Sequence, residues 1–253
     1  MYLKGKRGLV FGIANQASIA FGCAKAMVDQ GAEVIVTYGT AKAESFVTPL
    51  LPALNHATAL LCDVTRDEHL DAVFSLVKAR WGTLDFVIHS IAFAPMDDLH
   101  GRVVDCSKAG FLAAMDISCH SFIRLAKLSE PLMTGGGCLQ TISYYGSQRV
   151  VQNYNIMGPV KAALECTTQY MAAELGPKGI RVHALSPGPL QTRAASGIKD
   201  FDVLMAKAVE KAPLQRLVTL EDVGATAAFL ASDAARGLTG NIVYIDAGYH
   251  SVD

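Results

Sequence analysis

The run Gly8-Leu-Val-Phe-Gly12-Ile-Ala-Asn-Gln-Ala-Ser18-Ile-Ala-Phe-Gly22 decides how this chain folds. Its first half, Gly8–Ile13, is a short apolar run of strand length. Its second half opens a helical stretch, Ile19–Gln30, that stops at Gly31, a residue suited to a helix C-terminus. A strand that turns into a helix N-terminus presents free backbone N–H groups and the positive end of the helix dipole, which suits a pyrophosphate. Gly12 allows the tight turn, Ser18 is placed to cap the helix, and Gly22 would let the helix lie close on a sheet. The G-x-G-x-x-G spacing is absent, however, since only Gly12 and Gly22 are present. By itself the segment also reads as an ordinary strand–turn–helix.

The same unit recurs along the chain. Glu33–Tyr38, Ala57–Cys62, Leu84–Ile91, Cys138–Ser143, Ile180–Leu185 and Asn241–Asp246 read as further strands. They are almost continuously apolar rather than alternating, as strands covered on both faces are. Between them lie helical stretches, two of which begin with apparent capping boxes: Thr65-Arg-Asp-Glu68, running to about Trp81, and Thr219-Leu-Glu-Asp222, running to about Ser232. This rhythm predicts a doubly wound α/β fold: a seven-stranded parallel sheet with helices on both faces. No linker, repeat or low-complexity tract divides the chain, so residues 1–253 read as one nucleotide-binding domain of the Rossmann type.

Composition agrees. The 253 residues are 51% hydrophobic and 18% charged, enough for a large core and too apolar for disorder. The net charge of −1 argues against nucleic-acid binding. No apolar run approaches the ~18–20 residues of a spanning helix. Lys4, Lys6 and Arg7 ahead of Gly8–Ala14 imitate a secretion signal, but Asn15 and Gln16 interrupt it, and a first strand explains the run better. The six cysteines are scattered without a C-x-x-C pair, as thiols of a reducing cytoplasm are, and no spacing suggests a metal site.

In a doubly wound sheet, ligands collect at the carboxyl ends of the strands. The second strand ends in Val36-Thr-Tyr-Gly-Thr-Ala-Lys42, without the acid that usually holds the ribose hydroxyls and repels a 2′-phosphate. Lys42 could meet such a phosphate or be an exposed lysine, so the choice between NADH and NADPH stays open. Asp63, after the third strand, suits an adenine amino group or a plain polar loop.

After the fifth strand comes Thr141-Ile-Ser-Tyr144-Tyr145-Gly-Ser-Gln-Arg-Val-Val-Gln-Asn-Tyr154-Asn-Ile-Met157-Gly-Pro159-Val-Lys161. A nicotinamide reductase needs a hydroxyl donor for the oxygen that gains charge as hydride arrives. It also needs a cation to grip the nicotinamide ribose and keep that hydroxyl acidic. Met157, four residues before Lys161, is no proton donor; Tyr154, seven before, is. Seven helical residues turn ~700°, within about 20° of one face, and rise ~10.5 Å. Pro159 is comfortable only in a first helical turn, which puts the helix start near Asn155 or Ile156 and Tyr154 at its mouth. Tyr144, at the strand end, is either a second site hydroxyl or a rim aromatic.

These motifs, with Cys62-Asp-Val64, His89-Ser-Ile-Ala-Phe93, Met115-Asp-Ile-Ser118, Asn153-Tyr-Asn-Ile-Met157 and Ala194-Ala-Ser-Gly-Ile198, resemble the bacterial NAD-dependent enoyl-acyl-carrier-protein reductases, a divergent branch of the short-chain dehydrogenases. The match runs nearly end to end, and the Tyr-x₆-Lys spacing is specific to the branch. The resemblance implies reduction of the double bond of trans-2-enoyl thioesters on acyl carrier protein, the last step of each fatty-acid elongation cycle. It also implies a homotetramer. Tyr154 would hydrogen-bond the thioester carbonyl, Lys161 would bind the ribose, and Tyr144 would support the thioester. Gly12, Ser18, Ile19, Asp63, Val64, Ile91, Lys161, Leu190, Gln191, Thr192, Arg193 and Ala194 would contact the cofactor, NADH or alternatively NADPH. Ala94 and Phe201 would lie by the substrate, and 187–213 would form a substrate loop.

The sequence departs from the family at Pro187, where Ala is more usual, at Arg193 for leucine, at Gly39 for Gln, and at His183 for Asn. Two competing readings are a 3-ketoacyl or other carbonyl reductase of the same fold, and a non-catalytic NAD(P)H-binding paralogue. Met157 at the Tyr-x-x-x-Lys position argues against the first. Retention of Tyr144, Tyr154 and Lys161 together argues against the second.

Overall fold

Alternate residues of each strand enter opposite cores, which is why the strands read as unbroken apolar runs. Val10, Val34, Val36 and Ile88 face one core; Leu9, Phe11, Ile35 and Val87 face the other. The computed structural model describes residues 1–192 and 200–252, and among these seven strands form one sheet. They are β1 (Arg7–Phe11), β2 (Glu33–Tyr38), β3 (Thr58–Leu61), β4 (Phe86–His89), β5 (Gly137–Ile142), β6 (Ile180–Pro187) and β7 (Asn241–Ile245). Their order is β3-β2-β1-β4-β5-β6-β7, and every neighbouring pair is parallel. The order reverses between β1 and β4, which makes the crevice beyond their carboxyl ends the switch point where such sheets bind ligands.

The helices are α1 (Ile19–Asp29), α2 (Glu44–Val47), α3 (Asp67–Arg80), α4 (Met96–His100), α5 (Lys108–Met115), α6 (Ser121–Ser129), α7 (Met157–Leu175), α8 (Phe201–Lys211) and α9 (Leu220–Ala231). A π-helical turn, Asp116–His120, joins α5 to α6. One core lies under α1 and α9, the other under α3, α6 and α7. Among the described residues, no helix is long and apolar enough to cross a membrane.

Two local expectations change. The Thr219 capping box forms as expected, with Asp222 N donating to Thr219 Oγ1 and Thr219 N to Asp222 Oδ2. The Thr65 box does not: Arg66 is the N-cap, and Thr65 donates both its hydroxyl and its N–H to Asp63 Oδ1, at 2.7 and 2.9 Å. An acid two residues earlier outcompetes the helix for that threonine. Gly22 also serves a different neighbour. A Cβ there would meet the Leu220 carbonyl oxygen at 2.9 Å, so the close approach is between α1 and α9 rather than between helix and sheet.

Candidate active site

At the mouth of β1, the backbone of Gly12 takes φ +99°, and a Cβ there would lie 2.1 Å from the Ser90 carbonyl oxygen at the end of β4. Only glycine fits this crossing of the crevice. Ser18 does not cap α1 as expected. Its Oγ turns back into the loop, accepts from Ala14 N and Asn15 N, both at 2.9 Å, and donates to Asn15 O at 2.8 Å. The N-terminus of α1 therefore has no side-chain cap. Its first-turn N–H groups, Ile19 among them, remain directed out of the helix end. An uncapped helix end behind a glycine turn fits a pyrophosphate better than a capped one would.

Asp63 and Val64 follow β3, and Ile91 follows β4, so all three lie along the same sheet edge. Burial alone would raise the Asp63 carboxyl, but the hydrogen bonds from Thr65 outweigh it and hold its pKa below the ordinary value. Val64 is buried in the α3-side core, and Ile91 packs against that core. Leu190 packs where the α1-side core meets the cluster formed by Tyr145, Ala208 and Tyr249. Gln191 is exposed and Thr192 half-buried. Arg193 and Ala194 lie outside the described residues, as does the rest of 195–199. Gly39 has open space where a side chain would stand, and Lys42 is exposed beside it.

The second half of the site is built by the chain between β5 and α7. α7 begins at Met157, so Tyr154 stands just ahead of the helix, at its mouth as Pro159 indicates, and the seven-residue helical-face geometry does not apply to the pair. Instead Asn153 and Asn155 flank Tyr154 with φ of 65° and 43°. Asparagine tolerates this left-handed backbone better than other residues with a Cβ. Asn155 Nδ2 also donates to Leu99 O at 2.7 Å, tying this turn to α4. Tyr154 is buried with Ala94, Leu99, Ile156, Met157 and Val160, and Tyr144 packs against that group. The rings of Tyr144 and Tyr154 meet edge to face with centroids 4.8 Å apart. Tyr144 is thus a direct neighbour of Tyr154 and is itself half-buried. Burial, then Tyr144 and Glu165, push the Tyr154 phenol upward, so it stays a proton donor at neutral pH.

Lys161 is 4% exposed, and its Nζ donates to Ile142 O at 2.6 Å. Burial lowers it to about 8, partly offset by Cys119 and Glu165. Phe201 stands half-buried at the start of α8, and the preceding Asp200 accepts from Asn153 Nδ2 at 3.3 Å. The start of α8 is thus brought next to the Tyr154 turn.

Sequence reasoning missed several supporting groups. Ser118 Oγ, in the π-helical turn, accepts from Phe93 N at 2.9 Å and donates to Phe93 O at 3.0 Å, which holds the segment leading to Ala94. His89 is fully buried between Thr141 Oγ1 and Ser121 Oγ, each at 2.7 Å, and burial followed by Lys161 lowers it to about 3. Glu165 is buried one turn beyond Lys161. Its spacing from Lys161 was the available signal.

An uncapped helix end at the switch point, followed across the sheet by a buried lysine and a tyrosine pair, defines a nicotinamide-dependent reductase of the short-chain dehydrogenase class. The family model "Enoyl-(Acyl carrier protein) reductase" matches residues 12–250. The chain belongs to that family. It is 45% identical over 250 residues to "Enoyl-[acyl-carrier-protein] reductase [NADH] 1" of Rhizobium meliloti, covering 99% of this chain and 92% of the relative. It is 46% identical to the NADH enoyl reductase of Bacillus cereus, covering 98% of both chains. Among solved structures, the Bacillus cereus enzyme with NADP+ and indole naphthyridinone superposes with a TM-score of 0.97 at 46% identity, covering 100% of this chain and 99% of that one. The Anaplasma phagocytophilum reductase in complex with NAD gives 0.95 at 46% identity, covering 100% and 96%.

Proposed function

We propose that this chain reduces the carbon–carbon double bond of trans-2-enoyl thioesters carried on acyl carrier protein, using NADH. The observation that carries this reading is the placement of Tyr154. It is buried against Tyr144, while the position four before Lys161 is filled by Met157, packed in the same cluster. A carbonyl reductase of this fold would find a thioether where its acid should be.

The cofactor fits the residues present: the α1 N-terminus with Gly12, Ser18 and Ile19 suits its pyrophosphate, and Asp63 and Val64 suit its adenine. Ile91 and 190–194 complete the cofactor contacts, and Lys161 would hold the nicotinamide ribose. When bound, the reduced nicotinamide supplies the hydride that adds to the β-carbon. The Tyr154 hydroxyl donates a hydrogen bond to the thioester oxygen, where negative charge gathers as the enolate forms, and a proton taken up at the α-carbon then completes the saturated thioester. Tyr144 supports the thioester beside it, and Ala94 and Phe201 border the acyl chain. The substrate segment proposed for 187–213 is not a plain loop, since its described part begins at the end of β6 and includes α8.

Residues 1–253 act as one domain, and the chain works as a cytoplasmic homotetramer. All six cysteines are free, which suits a reducing compartment. Leu112, Ile123 and Tyr170 expose apolar surface on α5, α6 and α7 that association would cover.

The test follows loss of NADH and, in parallel, NADPH with crotonyl thioester, acetoacetyl thioester and no substrate. Oxidation with the crotonyl thioester alone is expected, faster with NADH. Oxidation with the acetoacetyl thioester instead favours the carbonyl reductase. Cofactor binding without turnover favours a non-catalytic paralogue. Gly39 leaves open space where a side chain would stand and Lys42 is exposed, so slower oxidation of NADPH is expected as well.

A further inference from the structure

Glu165 lies on α7 one helical turn beyond Lys161 and is only 5% exposed. A carboxylate is rarely so buried unless partners replace its water. Its partners all come from one place. Ser143 Oγ donates to Oε1 at 2.6 Å, Ser147 Oγ to the same oxygen at 2.7 Å, and Gln148 Nε2 to Oε2 at 3.3 Å. Ser143 and Ser147 bracket Tyr144 and the 3₁₀ turn Tyr145–Ser147. Within that turn, Gly146 abuts the ring of Tyr154 so closely that a Cβ would come within 2.5 Å of it. The donors on Glu165 are neutral, and no cation lies within ion-pair distance of it among the described residues.

We propose that Glu165 is a positioning residue for the reduction: it locks the turn that carries Tyr144 and supports Tyr154 onto the helix that carries Lys161, and it supplies the countercharge for Lys161. The inference rests on the enoyl-reductase reading above and adds to it a residue that touches neither substrate nor cofactor. The groups facing this centre are His89 from β4, Cys119 from the π-helical turn, Tyr144 and Tyr154 from the β5–α7 segment, and Tyr244 from β7. Lys161, lowered by burial to about 8 with Glu165 favouring its charged form, titrates on the alkaline side of neutrality. Loss of the carboxylate charge therefore moves the alkaline limb of activity toward lower pH.

The experiment compares wild-type protein, Glu165→Gln and the double variant Ser143→Ala/Ser147→Ala. It reads kcat and KM for crotonyl thioester across pH 6 to 10, NADH affinity by fluorescence, and Tm. Glu165→Gln is expected to lower kcat by about ten- to a hundredfold, with KM changing less than about threefold. Its alkaline limb should fall by roughly half a pH unit or more. The double serine variant should lower kcat with the limb unmoved, since it loosens the clamp and keeps the charge. If both variants lose Tm while kcat and the limb stay at wild-type values, the role is structural only and the proposal is overturned. Should Glu165→Gln fail to fold, wild-type kcat in the serine variant overturns it alone. Wild-type protein that leaves NADH unoxidised overturns the functional reading instead. The NADH titration then decides Glu165, and affinity unchanged in Glu165→Gln from pH 7 to 9 counts against it.

Discussion

The rings of Tyr144 and Tyr154 meet edge to face, with centroids 4.8 Å apart and planes 65° to one another. Ten residues separate them in sequence, and the turn between them brings the two rings into contact. On the function proposed above, the pair divides the labour, with Tyr154 as donor and Tyr144 as support. Tyr154→Phe should therefore lose about a hundredfold in kcat while NADH affinity changes little. Tyr144→Phe keeps the ring contact and should lose less, whereas Tyr144→Ala also removes about 1 kcal/mol of ring pairing. Steady-state kinetics with crotonyl thioester and a cofactor titration distinguish them; equal losses in both parameters would refute this division.

Gly146 sets the position of that pair. A methyl group there would stand 2.5 Å from Tyr154 Cδ1 and 3.2 Å from Tyr144 Cδ1. Gly146→Ala should cost about 1–3 kcal/mol through overpacking and displace the phenol, reducing kcat by about tenfold or more. Thermal melts and kcat measured together test this. A variant with wild-type turnover would show that the tyrosines tolerate displacement.

Lys161 gives two opposite pH trends. Burial lowers it to about 8 in the folded protein. In the role proposed above, the ammonium would grip the cofactor only while protonated, so NADH affinity should fall as pH rises through about 8. The unfolded chain keeps its lysine protonated to about 10.4, so between these values it binds more protons and folding stability rises with pH. Cofactor titrations and cofactor-free thermal melts from pH 7 to 10 read the two trends. Lys161→Ala should abolish both, with the larger loss in NADH affinity.

His183 is buried in β6, and burial, then Arg181, push it down to about 4, with the Leu238 backbone partly offsetting the shift. The unfolded chain takes up this proton near pH 6.5 and the folded chain near 4. Stability present above about 6.5 is therefore lost as pH falls toward 4, by at most about 3 kcal/mol from this residue. His89, lowered to about 3, acts in the same direction. His183→Asn should flatten the acid limb between pH 6.5 and 4 in denaturant melts. An unchanged limb would place the acid sensitivity elsewhere.

Much of the fold was legible because it rests on local pattern. Glu33–Tyr38 forms over the residues expected, and β1, β3, β4, β5, β6 and β7 lie within two residues of their expected ends. Short apolar runs without alternation, rich in β-branched residues and bounded by turn signals, read as strands covered on both sides. The Thr219 cap also read correctly, because its partner is three residues away. The Thr65 cap misled for the same local reason: a competing acceptor, Asp63, stood two residues earlier.

What the sequence determined by itself was the doubly wound sheet, its glycine turn, and the Tyr154–Lys161 spacing that marks the family. Each depends on residue types a few positions apart, where helix and strand periods constrain the outcome. Only the tertiary structure decided which groups close the site. It turned Ser18 away from its helix and set Gly22 against α9. It packed the Tyr154 ring against Tyr144 and gathered Ser143, Ser147 and Gln148 onto Glu165. Glu165 and its partners lie about twenty residues apart, on α7 and on the segment after β5, and their hydrogen bonds form only when packing removes the water that would otherwise satisfy them.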